Sequence, residues 1–251
     1  MAATELFYNN ILAKATYYWR LEGNSNGTVG GINGSDTSIT YGTSYGRYGQ
    51  GASLNGSSSR ILFGDIGDAT TGDTRSVWAY ITTFPSTGAN LTIMSKGFTM
   101  SGDTHGPTID MDNAGGTTSL RYLVKTLDNY FIASFAIDAS YQNKWIHIVG
   151  LTKSGYAYLY INGKRVAISS AITNTLSNSS ANMTLGCRDY NGTFDRYFTG
   201  YLDDPAIFNT ALSDWEIYML AQGHTLGEYI PSSSTKFYMP MNGIVLCYTT
   251  V

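Results

Sequence analysis

The clearest chemistry in the sequence is carried by two acids spaced two residues apart. Ile109-Asp110-Met111-Asp112-Asn113 places Asp110 and Asp112 at i and i+2. On an extended strand that spacing turns both side chains to one face. Two carboxylates aimed at one sugar ring are what retaining glycoside hydrolysis requires. No Glu accompanies them, so an acid/nucleophile pair would be incomplete, and a polar strand face is the expected reading. His105, His147 and His224 are isolated from one another, and His147 lies within a strand-like run, Trp145–Leu151, where a structural role is expected. Cys187 and Cys247 have no CxxC spacing and no paired histidines. No zinc site is expected from them, and two buried or unpaired thiols in a reducing compartment are. GxSxG, P-loop and HExxH patterns are absent.

Whatever these residues do, strands must position them. The chain has 251 residues, enough for one large all-β domain or two small ones. Apolar residues make up 43%, which excludes global disorder. Charged residues are only 13%, so Ser, Thr, Asn, Gly and Tyr must build the surface. Net charge is −3, with no basic stripe, which gives no support for binding nucleic acid or an anionic membrane electrostatically. No apolar run approaches the ~20 residues of a membrane-spanning helix. The opening MAATELFYNNILAK lacks a basic n-region followed by a long apolar stretch, so no signal peptide is expected.

Gly-rich, Tyr-rich and Pro-poor composition favours short strands and tight turns. Strands are expected at 59–63, 76–83, 91–95, 108–111, 119–126, 131–137, 145–151, 183–186 and 198–208, with a hairpin at 156–168 turning on Asn162-Gly163. Other Asn-Gly turns stand at 26, 33, 55, 191 and 242. Ser213-Asp214-Trp215-Glu216 is a capping box opening a short helix that Gly223 would stop, and a second helix is expected over 5–15. Seven Asn-x-Ser/Thr triplets read as turn composition rather than glycosylation sites. Tyr156, Tyr158 and Tyr160 alternate with Ala157, Leu159 and Ile161, so both faces of that strand are apolar or aromatic. Such a strand needs cover on both sides, from the N-terminal lead or from another subunit. The tail FYMPMNGIVLCYTTV is apolar and β-prone, and either joins its own sandwich or docks on a neighbour. The chain therefore divides into a lead (1–18), a β body (19–222) and a tail (223–251).

Four segments resemble the LamG-like, concanavalin A-like jelly-roll family over residues 7–221. They are FYNNILAKATYYWRLEGNSNG, YGRYGQGASLNGSSSRILFG leading into RSVWAYI, NKWIHIVGLTKSGYAYLYINGKRVA, and LGCRDYNGTFDRYFTGYLDDPAIFNTALSDWEIYML. The resemblance implies an all-β fold: a two-sheet antiparallel jelly-roll sandwich of six or seven strands per sheet, with one or two short peripheral helices. Trp78, Trp145 and Trp215 are expected to fill one core. Asp203 and Asp204 are expected to make a turn before a strand. Hydrolysing relatives carry an E-x-D-x-E strand, which the Asp110/Asp112 pair does not complete. Pentraxin-like relatives hold calcium with loop acids. The matching positions here are Asp103 and Asp189, with Asp195 nearby, while Arg188 stands where relatives place an acid and opposes a cation.

Sugar sites need an aromatic face and a few fixed polar groups. Loop tips containing Asp103, His105, Asp189, Tyr190 and Asp195 are the expected ligand-binding residues, and calcium is the one cofactor they suggest. The favoured functional reading is a non-enzymatic structural or adhesion protein of a virus particle. A phage tail or capsid decoration protein, made in the host cytoplasm and assembled with its own subunits or other virion proteins, fits a chain without an export signal. A free-standing extracellular lectin module is the alternative, and a glycan hydrolase comes third.

Overall fold

The protein is described by a computed structural model covering residues 11, 14–100, 104–222, 238–241 and 244–247. Two large sheets face each other. The first runs in spatial order β16 (Lys164–Ile168), β15 (Tyr156–Ile161), β14 (Trp145–Lys153), β7 (Asp73–Ile81), β20 (Thr199–Phe208), β1 (Tyr17–Trp19) and β2 (Gly27–Val29). β5 (Gly51–Asn55) pairs with the other half of β20, and β4 (Thr40–Gly42) with β5, making nine strands. The second sheet has seven: β13 (Tyr130–Ala136), β12 (Thr117–Lys125), β11 (Thr108–Ala114), β8 (Asn90–Lys96), β17 (Met183–Leu185), β6 (Arg60–Leu62) and β3 (Ser35–Thr37). A small sheet of β10 (Thr104–His105), β9 (Phe98–Thr99), β18 (Arg188–Tyr190) and β19 (Thr193–Asp195) lies beside them. β21 (Tyr238–Met241) and β22 (Ile244–Cys247) form a hairpin of their own. The expected two-sheet antiparallel jelly roll is present, with nine strands in one sheet where six or seven were expected.

Alternation explains why the sheets stack. Along β7, Val77, Ala79 and Ile81 enter the space between the sheets, and Ser76, Trp78 and Tyr80 take the other face. Ile109, Met111, Leu120, Tyr122 and Val124 meet them from the opposing sheet. Trp19 packs its ring 4.1 Å from that of Phe63 at the heart of this layer. Here the structure corrects the sequence reading of tryptophan. The fully buried indole of the main core is Trp19, whereas Trp78 and Trp145 project from the outer face of the nine-stranded sheet and Trp215 packs in a second cluster.

That second cluster answers what covers the tyrosine-rich strand. Helix α1 (Asp214–Ala221) lies on the outer face of the nine-stranded sheet, bringing Ile217, Met219 and Leu220 onto Val149, Leu151, Tyr160 and Phe208. Ile11 of the lead joins them, Lys14 ion-pairs with Glu216, and the Tyr160 hydroxyl donates to Asp214 at 2.8 Å. The cover is therefore supplied by the chain itself. The predicted capping box is formed: Ser213 accepts from the Glu216 amide while Glu216 accepts from the Ser213 amide. Of the expected lead helix, Ile11 and Lys14 are helical. Its other positions, with Gly223 and most of the tail, lie outside the described residues.

The Asn-Gly turns divide by geometry. Asn162-Gly163 and Asn191-Gly192 have positive φ at both residues (50° and 78°, 53° and 84°), as a tight hairpin turn demands. Asn55 instead turns the chain with its side chain, accepting from the amides of Ser57, Ser58 and Ser59. Asp203 and Asp204 do not precede a strand; they sit inside β20 at an irregularity of its pairing with β7, with Asp204 at φ 47°.

Gly150 shows how tightly the two sheets meet. It lies in β14 directly over the Tyr122 ring, and a Cβ there would stand 2.1 Å from Cδ2 of that ring. Gly150→Ala is expected to cost about 1–3 kcal/mol through overpacking alone. The loss would be read as an earlier urea midpoint at unchanged slope. An unchanged midpoint would show that the Tyr122 ring gives way freely.

Candidate functional site

The outer face of the seven-stranded sheet gathers the groups capable of recognition. Period-2 alternation puts Asp110 and Asp112 on it from β11, and the antiparallel register sets Arg121 of β12 directly opposite Asp110. The Arg121 fork donates to both Asp110 oxygens, at 2.9 and 2.7 Å, and reaches Asp112 at 3.2 Å. Asn90 of β8 donates to Asp112 at 2.7 Å, and Arg196 stands 3.9 Å from Asp110. Asp110 is fully buried beneath this network. The two carboxylates do share a face, as the spacing predicts. Asp110, however, is clamped bidentately by a guanidinium, so both of its oxygens are already engaged and neither is turned to an open surface.

The small sheet raises a wall along this floor. Its hairpin β18–β19 turns on Asn191-Gly192, and Thr92 of β8 donates its amide to the Arg196 carbonyl just beyond β19. Tyr190 stacks on Phe98 with centroids 4.7 Å apart and planes 6° from parallel. The Arg188 guanidinium lies 4.6 Å from the Tyr190 centroid, while its fork grips Asp195 at 2.9 and 2.5 Å. His105 tilts against Phe98 at 6.2 Å and meets Tyr130 edge-on at 5.9 Å. Lys125 places its ammonium 5.3 Å from the Tyr130 ring.

The residues singled out by sequence thus separate into different roles. Asp189 is a structural carboxylate, 1% exposed. Its Oδ1 accepts from the Gly192 amide and its Oδ2 from the Asn182 amide and side chain. Those N–H donors engage both oxygens, and through them Asp189 pins the hairpin. Tyr190 is half-buried, with its ring stacked on Phe98 and the Arg188 guanidinium close against it. Asp195 is held by Arg188, and His105 is 5% exposed with Nδ1 at 2.6 Å from the Gly106 carbonyl. Asp103 lies outside the described residues. Among the described residues no group of three or more His, Cys, Asp or Glu side chains is placed to hold a metal ion.

The residue missed by sequence reading is Tyr130. It is 48% exposed on the outer face of β13, followed two residues on by Ile132 at 38%. The available signal was the alternation of Tyr130, Ile132 and Ser134 with Phe131 and Ala133. The sequence alone does not say which set faces water. A separate shallow depression between residues 69–71 and 173–178 is lined by Thr, Asn, Ala and Leu and carries no ring or charge.

Other chemistry is silent. His147 is buried with Nε2 2.8 Å from the Ser76 hydroxyl, and burial lowers its pKa to about 3. Cys187 is a buried free thiol pushed up to about 12 by burial. Cys247 falls in β22, whose side chains lie outside the described set.

The profile of the concanavalin A-like lectin/glucanases superfamily matches residues 55–218. The chain belongs to that superfamily. No curated protein matches it. Among solved structures it is similar to domain 4 of AbnA, an extracellular GH43 arabinanase from Geobacillus stearothermophilus solved with arabinotriose. The identity is 20% and the TM-score 0.61, over 83% of this chain and 98% of that one. It is also similar to the botulinum neurotoxin serotype D ligand-binding domain solved with N-acetylneuraminic acid. There the identity is 18% and the TM-score 0.63, over 86% of this chain and 52% of that one. The serotype G receptor-binding domain matches at 15% and 0.61, over 83% and 51%. The chain spans about half the length of these toxin domains and nearly all of the arabinanase domain.

Two measurements check the site. Arg121→Met should strand the buried Asp110 charge and cost about 3–5 kcal/mol, and Asp110→Asn in the same chain should recover much of it. Equal losses in the single and double variants would contradict the pairing. The second concerns His105 and His147. Burial lowers His105 to about 4 and His147 to about 3, so each protonates in the unfolded chain near 6.5 but not in the fold. Stability is therefore fully present above pH 6.5 and falls as pH drops from there, by about 1.4 kcal/mol per unit per histidine. His105→Gln should remove one histidine's share of that slope, and an unchanged slope would place His105 in water.

Proposed function

We propose that this chain is a non-enzymatic glycan-binding module whose ligand lies along the outer face of the seven-stranded sheet. The observation that carries this reading is the exposed Tyr130 ring, buttressed by His105 and Lys125 and set beside a prearranged row of charged forks. Carbohydrate recognition uses an aromatic surface for the apolar side of a sugar and fixed polar groups for its hydroxyls. Arg121, Asp112, Arg188 and Asp195 are such groups, held in place by one another before any ligand arrives. Both Asp110 oxygens are taken by the Arg121 fork, and Asp112 accepts from Asn90 and meets Arg121, which supports a binding role for the pair over hydrolysis. The sugar-bound relatives of the same fold support the ligand class.

The wider setting we propose is a virus particle, with this module as a surface adhesion or decoration component and neighbouring particle proteins as its partners. Low charge and a surface of Gly, Ser, Thr, Asn and Tyr support it, as they suit a durable exposed β domain. Co-sedimentation of the protein with particles is the measurement for that setting, and a protein never found with particles would end it.

For the ligand, a glycan array followed by titration is expected to identify one sugar class. Tyr130→Ala should weaken its binding at least tenfold, about 1.4 kcal/mol or more, without moving the thermal midpoint. Tyr218→Ala, which removes an exposed ring from α1, should leave binding intact. Binding unaffected by Tyr130→Ala, or no glycan bound at all, would overturn the reading.

A further inference from the structure

The outer face of the nine-stranded sheet is only half accounted for. α1 and the lead close the half that bears Val149, Leu151 and Phe208. Across the other half the register lines up Trp145, Tyr80 and Tyr201 on β14, β7 and β20. Tyr45 extends the line, so four rings follow one another at 5.7, 5.1 and 5.0 Å. Trp78 lies one step along β7, flanked by Tyr48 at 5.8 Å and by the Arg47 guanidinium at 4.9 Å. Asp203 fixes that flank by accepting the Arg47 and Tyr48 amides at 2.7 and 3.0 Å. The row is therefore built rather than incidental, and its rings are half-buried with their remaining surface outward. Among the described residues nothing packs over it as α1 packs over the other half.

Where the chain leaves α1 is the second observation. The C-terminal turn of α1 rests on the β15–β16 turn: a Cβ on Gly163 would stand 2.9 Å from Tyr218 Cα and 3.2 Å from Ala221 Cβ. Asn162 of that turn exchanges hydrogen bonds with the His147 backbone, two residues from Trp145. The chain thus leaves the helix at the Trp145 end of the aromatic row. Fifteen residues (223–237) then lead to the β21–β22 hairpin, a tether that can span several times the row at about 3.3–3.6 Å per residue.

The hairpin itself is the third. It pairs Tyr238 with Cys247 through Met241 with Ile244 and, among the described residues, joins no other sheet. Its eight strand residues include no charge and none of Ser, Thr, Asn or Gln. An isolated two-stranded hairpin is marginal in water and needs a surface to bury against. Two strands of four residues, about 13 Å long and 5 Å apart, match the footprint of the row.

We infer that the hairpin 238–247 docks in cis on the aromatic row formed by Trp145, Tyr80, Tyr201 and Tyr45. Tethering raises its effective concentration there to about the millimolar range, so a weak apolar contact suffices to hold it. The docked hairpin completes the cover of the outer face and leaves the opposite sheet free for ligand.

Two measurements on the full chain test this. In hydrogen exchange, the amides of 238–247 should be protected at least tenfold over an unstructured peptide, and Tyr80→Ser with Tyr201→Ser should return them to near the unprotected rate. Because that double variant sits in the main sheet, the reciprocal experiment changes only the tail. Leu246→Asp should raise hydroxyl-radical labelling of Tyr80, Tyr201 and Trp145 severalfold while labelling of Tyr130 stays constant. Unprotected tail amides, or row labelling that ignores Leu246→Asp, would overturn the inference. So would protection that rises with protein concentration alongside a dimeric mass, since that places the hairpin on a second copy.

Discussion

The register of three paired strands, β14, β7 and β20, is the constraint from which the rest of the molecule follows. It sets Ile148, Val77 and their neighbours toward the inner layer and Trp145, Tyr80 and Tyr201 toward the outside. A slip of one residue would exchange the two sets and expose the core. These strands are apolar on both sides, so the sheet cannot end at the sandwich and must be covered again from outside. α1, the lead residue Ile11 and the Tyr160–Asp214 hydrogen bond supply that cover at one end. The aromatic row is the same demand continued at the other end.

The seven-stranded sheet is built on the opposite rule, with one face in the core and one face polar. Its outer face and the small sheet beside it carry charge that is largely paired among the described residues. Arg121 with Asp110 and Asp112 on the first, and Arg188 with Asp195 on the second, satisfy one another before a ligand arrives. Such pairing lowers the ordering cost of recognition, because the groups need not be immobilised on binding. It also engages both Asp110 oxygens on the Arg121 fork. One spacing of acids along a strand can thus serve catalysis or architecture, and the residue across the ladder decides which. Here that residue is Arg121.

Buried polar groups mark where the sandwich takes up specificity. The Tyr122 hydroxyl bridges Asp73 and Thr152 between the sheets, and Asp73 ion-pairs with the fully buried Arg75 at 3.2 Å. Burial raises the Asp73 pKa, the main opposing influence being Arg75. Asp189 does comparable work at the edge, tying the β18–β19 hairpin to Asn182 so that Tyr190 and Arg188 stand where Phe98 can meet them. A loop acid that looks like a ligand group in sequence is here a fastener.

Much was settled by local order along the chain. The long strands, the Asn162-Gly163 hairpin and the Ser213–Glu216 cap are properties of neighbouring residues: alternation, positive φ and a side chain reaching three amides on. The short strands β2 to β4 and the pairs β9–β10 and β18–β19 were not read as strands, because two or three residues leave no period to read, whereas β6 fell within an expected strand. Alternation also says that two faces differ without saying which faces water, and so Tyr130 went unnoticed while Trp78 and Trp145 were assigned to the core. Only the tertiary arrangement decided that Arg121 would stand opposite Asp110 and that Phe98 would stack on Tyr190. Those partners lie 11 and 92 residues apart in the chain. Their meeting depends on which strands lie side by side, a choice made by burying both sheets at once rather than by any single segment.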